Sequence, residues 1–220
     1  MTRPLVLALL ALALLAGPAA AQQQPPPSID VRGEATVTAA NDAARIGVLA
    51  RRRAASAAAA LDRASALARG IIAAVRQTGV LAEDVTTGSV TVTRTRRRPG
   101  FVAVQRIRVV QRTASRAGET VAAAVRAGGL DVSGPEFFVR DPRALYRRAL
   151  LLAFDDAREK ARALAERAGV TLGRPLRIVE QGVAIDAVAA AGGGSSEPPP
   201  PTRPGRSVVE ATLEVSFASG

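Results

Sequence analysis

Three stretches of this chain end alike: VRQTGV at 75–80, VRAGGL at 125–130 and ERAGVTL at 166–172. Each closes a run of helical character, and each is followed within a few residues by a segment that reads as a strand. A glycine at the end of a helix lets the chain turn left-handed without a Cβ clash, so the shared ending marks one helix-to-strand turn used repeatedly. Repetition of that turn points to β-α-β pieces. The central order strand, helix, strand, strand, helix, strand matches a ferredoxin-like split unit. The expected fold class is therefore α+β, an antiparallel or mixed sheet with helices packed on one face.

The individual segments follow from their periods. Ile29–Thr38 and Ala44–Arg53 alternate as half-buried strands around an AANDA turn and read together as a hairpin. From Ala54 to Gln77 the apolar residues recur at helical spacing, ending at Gly79. Val85–Thr95 and Phe101–Thr113 read as strands around RRRPG, followed by a helix at Ala117–Ala127 and a strand at Val132–Arg140. Asp141 then caps a long helix that opens on Pro142, where a missing N–H costs nothing, and stops at Gly169. Arg174–Gln181 and Arg206–Ala218 complete the strands. Between them, 183–205 carries GGGSSEPPPPTRPG and reads as a flexible insertion within a domain spanning 29–220.

The N-terminus has the layout of a secretory signal peptide over residues 1–21: Arg3, an apolar run from Leu5 to Ala16, and small residues at Ala19–Ala21. A Gln/Pro-rich tether at 22–28 follows, and no later run is apolar and long enough for a transmembrane segment in the mature chain. The expected location is the periplasm, with cleavage near Ala21. There is no cysteine, so the fold stands on packing alone. The net charge is +11, nearly all of the positive charge being arginine. Such a balance favours anionic envelope surfaces, unless it reflects only a general preference for arginine and alanine. Export, with one tyrosine and no tryptophan, makes nucleic acid an unexpected partner.

DDAREKARALAERAGVTLG, at 155–173, poses the question of chemistry directly. Adjacent helical residues point apart, so Asp155 and Asp156 do not converge on one substrate atom. Asp156 instead precedes Lys160 by four residues, the favourable order for an ion pair, while Leu150, Ala153, Ala157, Ala161, Leu164 and Ala168 form an apolar stripe. The stretch reads as a helix exterior. With no histidine and no cysteine, a Ser-His-Asp triad, a thiolate nucleophile and ordinary zinc sites are excluded. No catalytic, cofactor or metal residues are assigned.

The most unusual local feature is the arginine-dense strand pair, with Arg94, Arg96, Arg97 and Arg98 before the turn and Arg106, Arg108 and Arg112 on the returning side. Alternation sets Arg106, Arg108 and Arg112 on the face opposite Ile107 and Val109. These arginines either grip an anionic partner by forked hydrogen bonds or form a wet sheet face that guards against edge pairing. Phe137 and Phe138, adjacent on a strand, face opposite sides: one belongs in a core, the other under a helix or in a subunit interface.

Four phrases in order resemble the SIMPL-domain family, which includes bacterial periplasmic immunogenic and oxidative-stress-associated proteins. They are IDVRGEATVTAANDAARIGV at 29–48, TGVLAEDVTTGSVTV at 78–92, DDAREKARALAERAGVTLGRPLRIVEQG at 155–182 and VVEATLEVSFA at 208–218. Two features depart from the family pattern: Asn41 stands where proline often precedes the aspartate, and RRRPGFVAVQ carries arginines where aromatics are common. The resemblance implies an exported α+β protein without an established catalytic site, and some relatives look like ring-like or channel-like assemblies. The expected function is a non-enzymatic, self-assembling envelope scaffold acting in stress protection, with a homo-oligomer as partner. The alternative is a monomeric binding module for anionic lipid, glycan or protein, and a remote third is a carboxylate-based hydrolase.

Overall fold

The structure, a computed structural model, describes residues 26–95, 99–188 and 203–220. The expected signal peptide at 1–21, most of the expected tether at 22–28 and the stretch 189–202 of the expected insertion lie outside the described residues. In chain order the elements are β1 (Ser28–Ala40), β2 (Ala43–Ala54), α1 (Ala57–Arg76), β3 (Val85–Arg94), β4 (Phe101–Gln111), α2 (Ala117–Arg126), β5 (Leu130–Phe138), α3 (Pro142–Ala168), β6 (Leu172–Val188) and β7 (Arg206–Ser219).

Local chemistry sets the helix ends. The Ser56 hydroxyl accepts the Ala59 N–H at 3.2 Å at the start of α1. The Asp141 carboxylate accepts the Ala144 N–H at 2.9 Å, and Gly169, at φ 71°, ends α3 in the left-handed region.

Two antiparallel sheets result, so the chain is α+β. One has the order β3-β4-β2-β5, which is the ferredoxin-like arrangement for the unit β2-α1-β3-β4-α2-β5. The helices α1 and α2 cover one face of it. Ile46 and Val48 of β2 and Ile107 and Val109 of β4 meet Ile71 and Val75 of α1, all six essentially buried. Each such side chain contributes about 1.5–3 kcal/mol relative to exposure.

The other sheet has the order β1-β7-β6 and is covered by α3. Here the expected β1–β2 hairpin is corrected. β1 pairs with β7 without interruption from Ser28 to Ala40, while β2 lies between β4 and β5. The Asn41–Asp42 corner therefore carries the chain from one sheet to the other. A tight turn permits hairpin pairing, but the strand offering the longest in-register apolar face takes the partner, and for β1 that strand is β7.

The α3 stripe also differs from its expected residues. Ala149, Ala153, Ala157, Ala161 and Ala165 are the buried row, whereas Leu164 is 52 % exposed. A row at four-residue spacing slants across the helix, and its small side chains let α3 lie against the strands. Gly33 completes that approach: a Cβ there would collide with the Ala153 carbonyl oxygen and come within 2.7 Å of the Ala157 Cβ. β6 runs to Val188, so the first six residues of the segment 183–205 are paired with β7.

Candidate anion-binding face

The face of the four-stranded sheet opposite α1 and α2 carries a cluster of arginines from β2 and β4. Alternation in β2 sends Ile46, Val48 and Ala50 toward the helices, which leaves Arg45, Gly47, Arg51 and Arg53 on the open side. In β4, Ala103, Ile107 and Val109 are buried, and Arg106 and Arg108 stand on the open side. Cross-strand register then sets Thr86, Arg108, Gly47 and Ser133 in one row across all four strands. Because Gly47 has no side chain, that row contains a shallow depression of about 420 Å³, bordered by Arg45, Thr86, Arg108, Ser133 and Glu136. A Cβ at Gly47 would strike the Ser133 hydroxyl.

The arginines differ in their commitments. Arg51 pairs with Asp131 at 3.3 Å and Arg45 with Glu136 at 3.6 Å, and the Arg45 guanidinium lies 3.8 Å from the centre of the Phe138 ring. Arg53 donates to the Thr95 hydroxyl and to the Pro99 carbonyl, each at 3.1 Å, so it ties down the base of the β3–β4 turn. Arg106 and Arg108 are exposed and have no counter-charge or hydrogen-bond acceptor among the described residues.

The seven arginines singled out in the sequence are thus divided. Arg106 and Arg108 share the open face as alternation requires. Arg94 pairs with Phe101 in a row that ends on Ala54, on the helix side of the sheet edge. Arg112 lies just past β4, where its guanidinium binds Glu83 at 2.8 Å and Asp84 at 2.7 Å. Its pKa is raised chiefly by the hydrogen bond to Asp84, so its charge is already answered. Arg96, Arg97 and Arg98 lie outside the described residues. The β2 arginines escaped the sequence reading, although ARIGVLARRRA places Arg45, Arg51 and Arg53 at even spacing, hence on one side of a strand. Of the phenylalanines, Phe138 takes Arg45 on the open side, and Phe137, half-buried, pairs with Ala44 on the helix side.

The carboxylates of the long helix do not form a site. Asp155 is exposed. Asp156 accepts the Lys160 ammonium at 2.7 Å and the backbone N–H of Glu34 at 2.8 Å, while Lys160 donates to the Arg32 carbonyl at 3.0 Å. The pair therefore satisfies two backbone groups in the middle of β1, an edge strand. Desolvation pushes the Asp156 carboxyl up, but the bonds from Lys160 and Glu34 outweigh it and hold the group below the usual carboxylate range. Among the described residues no three Asp, Glu, His or Cys side chains gather as a metal set, and no helix is long and apolar enough to cross a membrane.

A forked guanidinium presents two parallel N–H groups, which suits the paired oxygens of phosphate or carboxylate. The open face offers two such forks without an internal partner, beside hydroxyl groups at Thr86 and Ser133. In comparison with known proteins, the family model described as SIMPL, protein of unknown function (DUF541), matches residues 29–217. No curated protein matches the chain.

Proposed function

The chain belongs to the SIMPL family, and we propose that it acts without catalysis, beyond the inner membrane, by presenting the open arginine face of β2 and β4 to phosphate groups on the bacterial envelope. The observation that carries this reading is the pair Arg106 and Arg108, exposed on one side of β4 and without a counter-charge among the described residues, with Arg108 at the border of the Gly47 depression. Arg106 and Arg108 stand two residues apart on one strand, so their backbone spacing is set before binding and the ordering cost falls on the side chains alone. The apolar run at Leu5–Ala16 supports export, and the +11 charge supports attraction to an anionic surface.

Sedimentation of residues 22–220 with vesicles of phosphatidylcholine, with and without phosphatidylglycerol, tests the proposal. Binding is expected only with the anionic lipid, weakening as salt rises because exposed charges are screened beyond about 8–10 Å. The double variant Arg106→Gln/Arg108→Gln is expected to lose roughly tenfold in affinity, equivalent to about 1.4 kcal/mol. Competition by inorganic phosphate would assign recognition to the phosphate group itself, and its failure would assign it to the lipid surface. Equal binding by the wild type and the double variant would sink the reading.

A second reading, self-assembly into an envelope scaffold, is favoured by a separate observation: the β3 sheet edge has no covering group among the described residues.

A further inference from the structure

Two sheets leave four edges, and three of them carry a device that prevents pairing. On β1 the Glu34 N–H and the Arg32 carbonyl are taken by Asp156 and Lys160, and Asp30, Arg32 and Glu34 put charges along the strand. In β5 the register with β2 is interrupted twice, Pro135 has no N–H to offer, and Asp131 and Glu136 are charged. In β6 the register with β7 is interrupted three times, and Pro175, Arg174, Arg177 and Glu180 line the strand. Breaks, prolines and charges of this kind are how sheets blunt an exposed edge.

β3 has neither charge nor proline over its working length, and a single break. From Val85 to Thr93 it contains no charged residue and no proline, and its one irregularity, at Gly88–Ser89, precedes a regular run from Val90 to Arg94. No side chain among the described residues bonds to its outward backbone. Val90 and Val92, on the helix side, are 47 % and 38 % exposed. An uncharged, β-branched strand with free backbone groups is a template for another strand.

We infer that β3 is the edge on which a second copy of this chain adds, antiparallel, about a two-fold axis through Thr91. The register follows from the side chains. With Thr91 opposite Thr91, Val90 of each copy lies opposite Val92 of the other, so both exposed valines are covered by apolar partners. Ser89 then faces Thr93, and Arg94 faces Gly88 rather than another arginine. Centring the axis on Arg94 would oppose two like charges, and centring it on Val90 would set Val92 against Gly88 with nothing to pack on. A two-fold interface is self-complementary by construction, which suits a strand whose own sequence supplies both halves.

Such an axis stands perpendicular to the sheet, and that has a consequence for the binding face. The helices of both copies fall on one side of a continuous eight-stranded sheet, and Arg106 and Arg108 of both copies fall on the other. Pairing therefore doubles the basic surface in one plane. The inference deepens the self-assembly reading and rests on it, but it stands apart from phosphate binding. The ladder is short compared with a stable interface of about 1,600 Å², so association is expected to depend on concentration.

The test uses residues 22–220 in sedimentation velocity across a range of concentrations, with two variants. Val90→Lys/Val92→Lys places charges on exposed positions and is expected to shift the chain to monomer while retaining its unfolding transition. Thr91→Cys, in a chain without cysteine, is expected to form an intermolecular disulfide on mild oxidation, because directly opposed strand residues lie about 4.5–5.5 Å apart. Thr36→Cys on β1 is expected to stay reduced. A wild-type chain that is monomeric at every concentration would overturn the assembly reading itself. A multimer that survives the lysine pair, with no crosslink at position 91, would overturn the β3 edge and leave assembly standing. Should the lysine variant fail to fold, the crosslinking arm decides alone.

Discussion

Arg140 gives both its backbone N–H and its side-chain Nε–H to the carboxylate of Asp42, each at 2.9 Å. Asp42 sits at the corner where the chain leaves one sheet for the other, and Arg140 lies at the exit from β5 toward α3. The same corner holds a buried bond from the Ser207 hydroxyl to the Asn41 side-chain oxygen at 2.6 Å and one from the Asn41 N–H to the Gly205 carbonyl at 3.1 Å. Among the described residues no helix or strand of one unit packs broadly on an element of the other, so this corner is a principal tie between them.

Replacing Asp42 by alanine is therefore expected to loosen the corner while leaving each sheet intact. A loss of about 1–2 kcal/mol follows from removing a charge-assisted acceptor of two N–H groups. Hydrogen exchange at Ala114 and Arg140, whose N–H groups bond to Asp42, should rise well before exchange in β2 or β7 does. Asp42→Asn, which still accepts, should recover part of the loss.

Gly33→Ala is expected to cost about 3 kcal/mol, because the added methyl meets backbone on α3 and cannot be relieved by a rotamer change. Denaturant unfolding monitored by circular dichroism measures it. A near-neutral result would mean that α3 stands off from β1 in solution.

Asp156 makes a pH-dependent contribution. Its folded-state pKa is lowered, so the stabilisation is fully present above the unfolded value of about 3.9 and is lost as pH falls through the lower folded value. Asp156→Asn should flatten stability against pH in the acid range. Asp156→Ala should in addition leave the Glu34 N–H without an acceptor, at about 1 kcal/mol.

Tyr146 works in the opposite range. Its hydroxyl, on α3, donates to Glu180 on β6, and desolvation with that carboxylate raises its pKa from 10.0 to about 12. Stability from the neutral phenol is therefore full below about pH 10 and disappears as pH rises through about 12. Thermal unfolding of Tyr146→Phe should show a loss of roughly 1 kcal/mol at neutral pH and a shallower decline above pH 10 than the wild type.

The helix at Ala57–Arg76 and the capped helix from Pro142 could be read from periods and end residues, because helical hydrogen bonds join residues four apart and the signal is local. The ferredoxin-like unit could also be read, since its element order leaves few ways to pack two helices on one sheet. Arg106 and Arg108 were legible on the same ground: strand alternation fixes their side relative to Ile107 and Val109. Arg45, Arg51 and Arg53 were equally regular, yet their membership in the face depends on β2 lying beside β4, which alternation in β2 does not express.

By itself, then, the sequence determined the order of the elements, the buried sides of β2 and β4, and the ends of the long helix at Asp141 and Gly169. Tertiary structure alone decided that β1 leaves β2 for β7 near the other end of the chain, that Arg112 turns to Glu83 and Asp84, and that Asp156 and Lys160 bond the middle of the β1 edge while β3 has no such contact among the described residues. The division has one physical cause. Local hydrogen bonds and side-chain periods act between near neighbours, whereas strand partnership is settled by apolar faces far apart in sequence competing for the same contact.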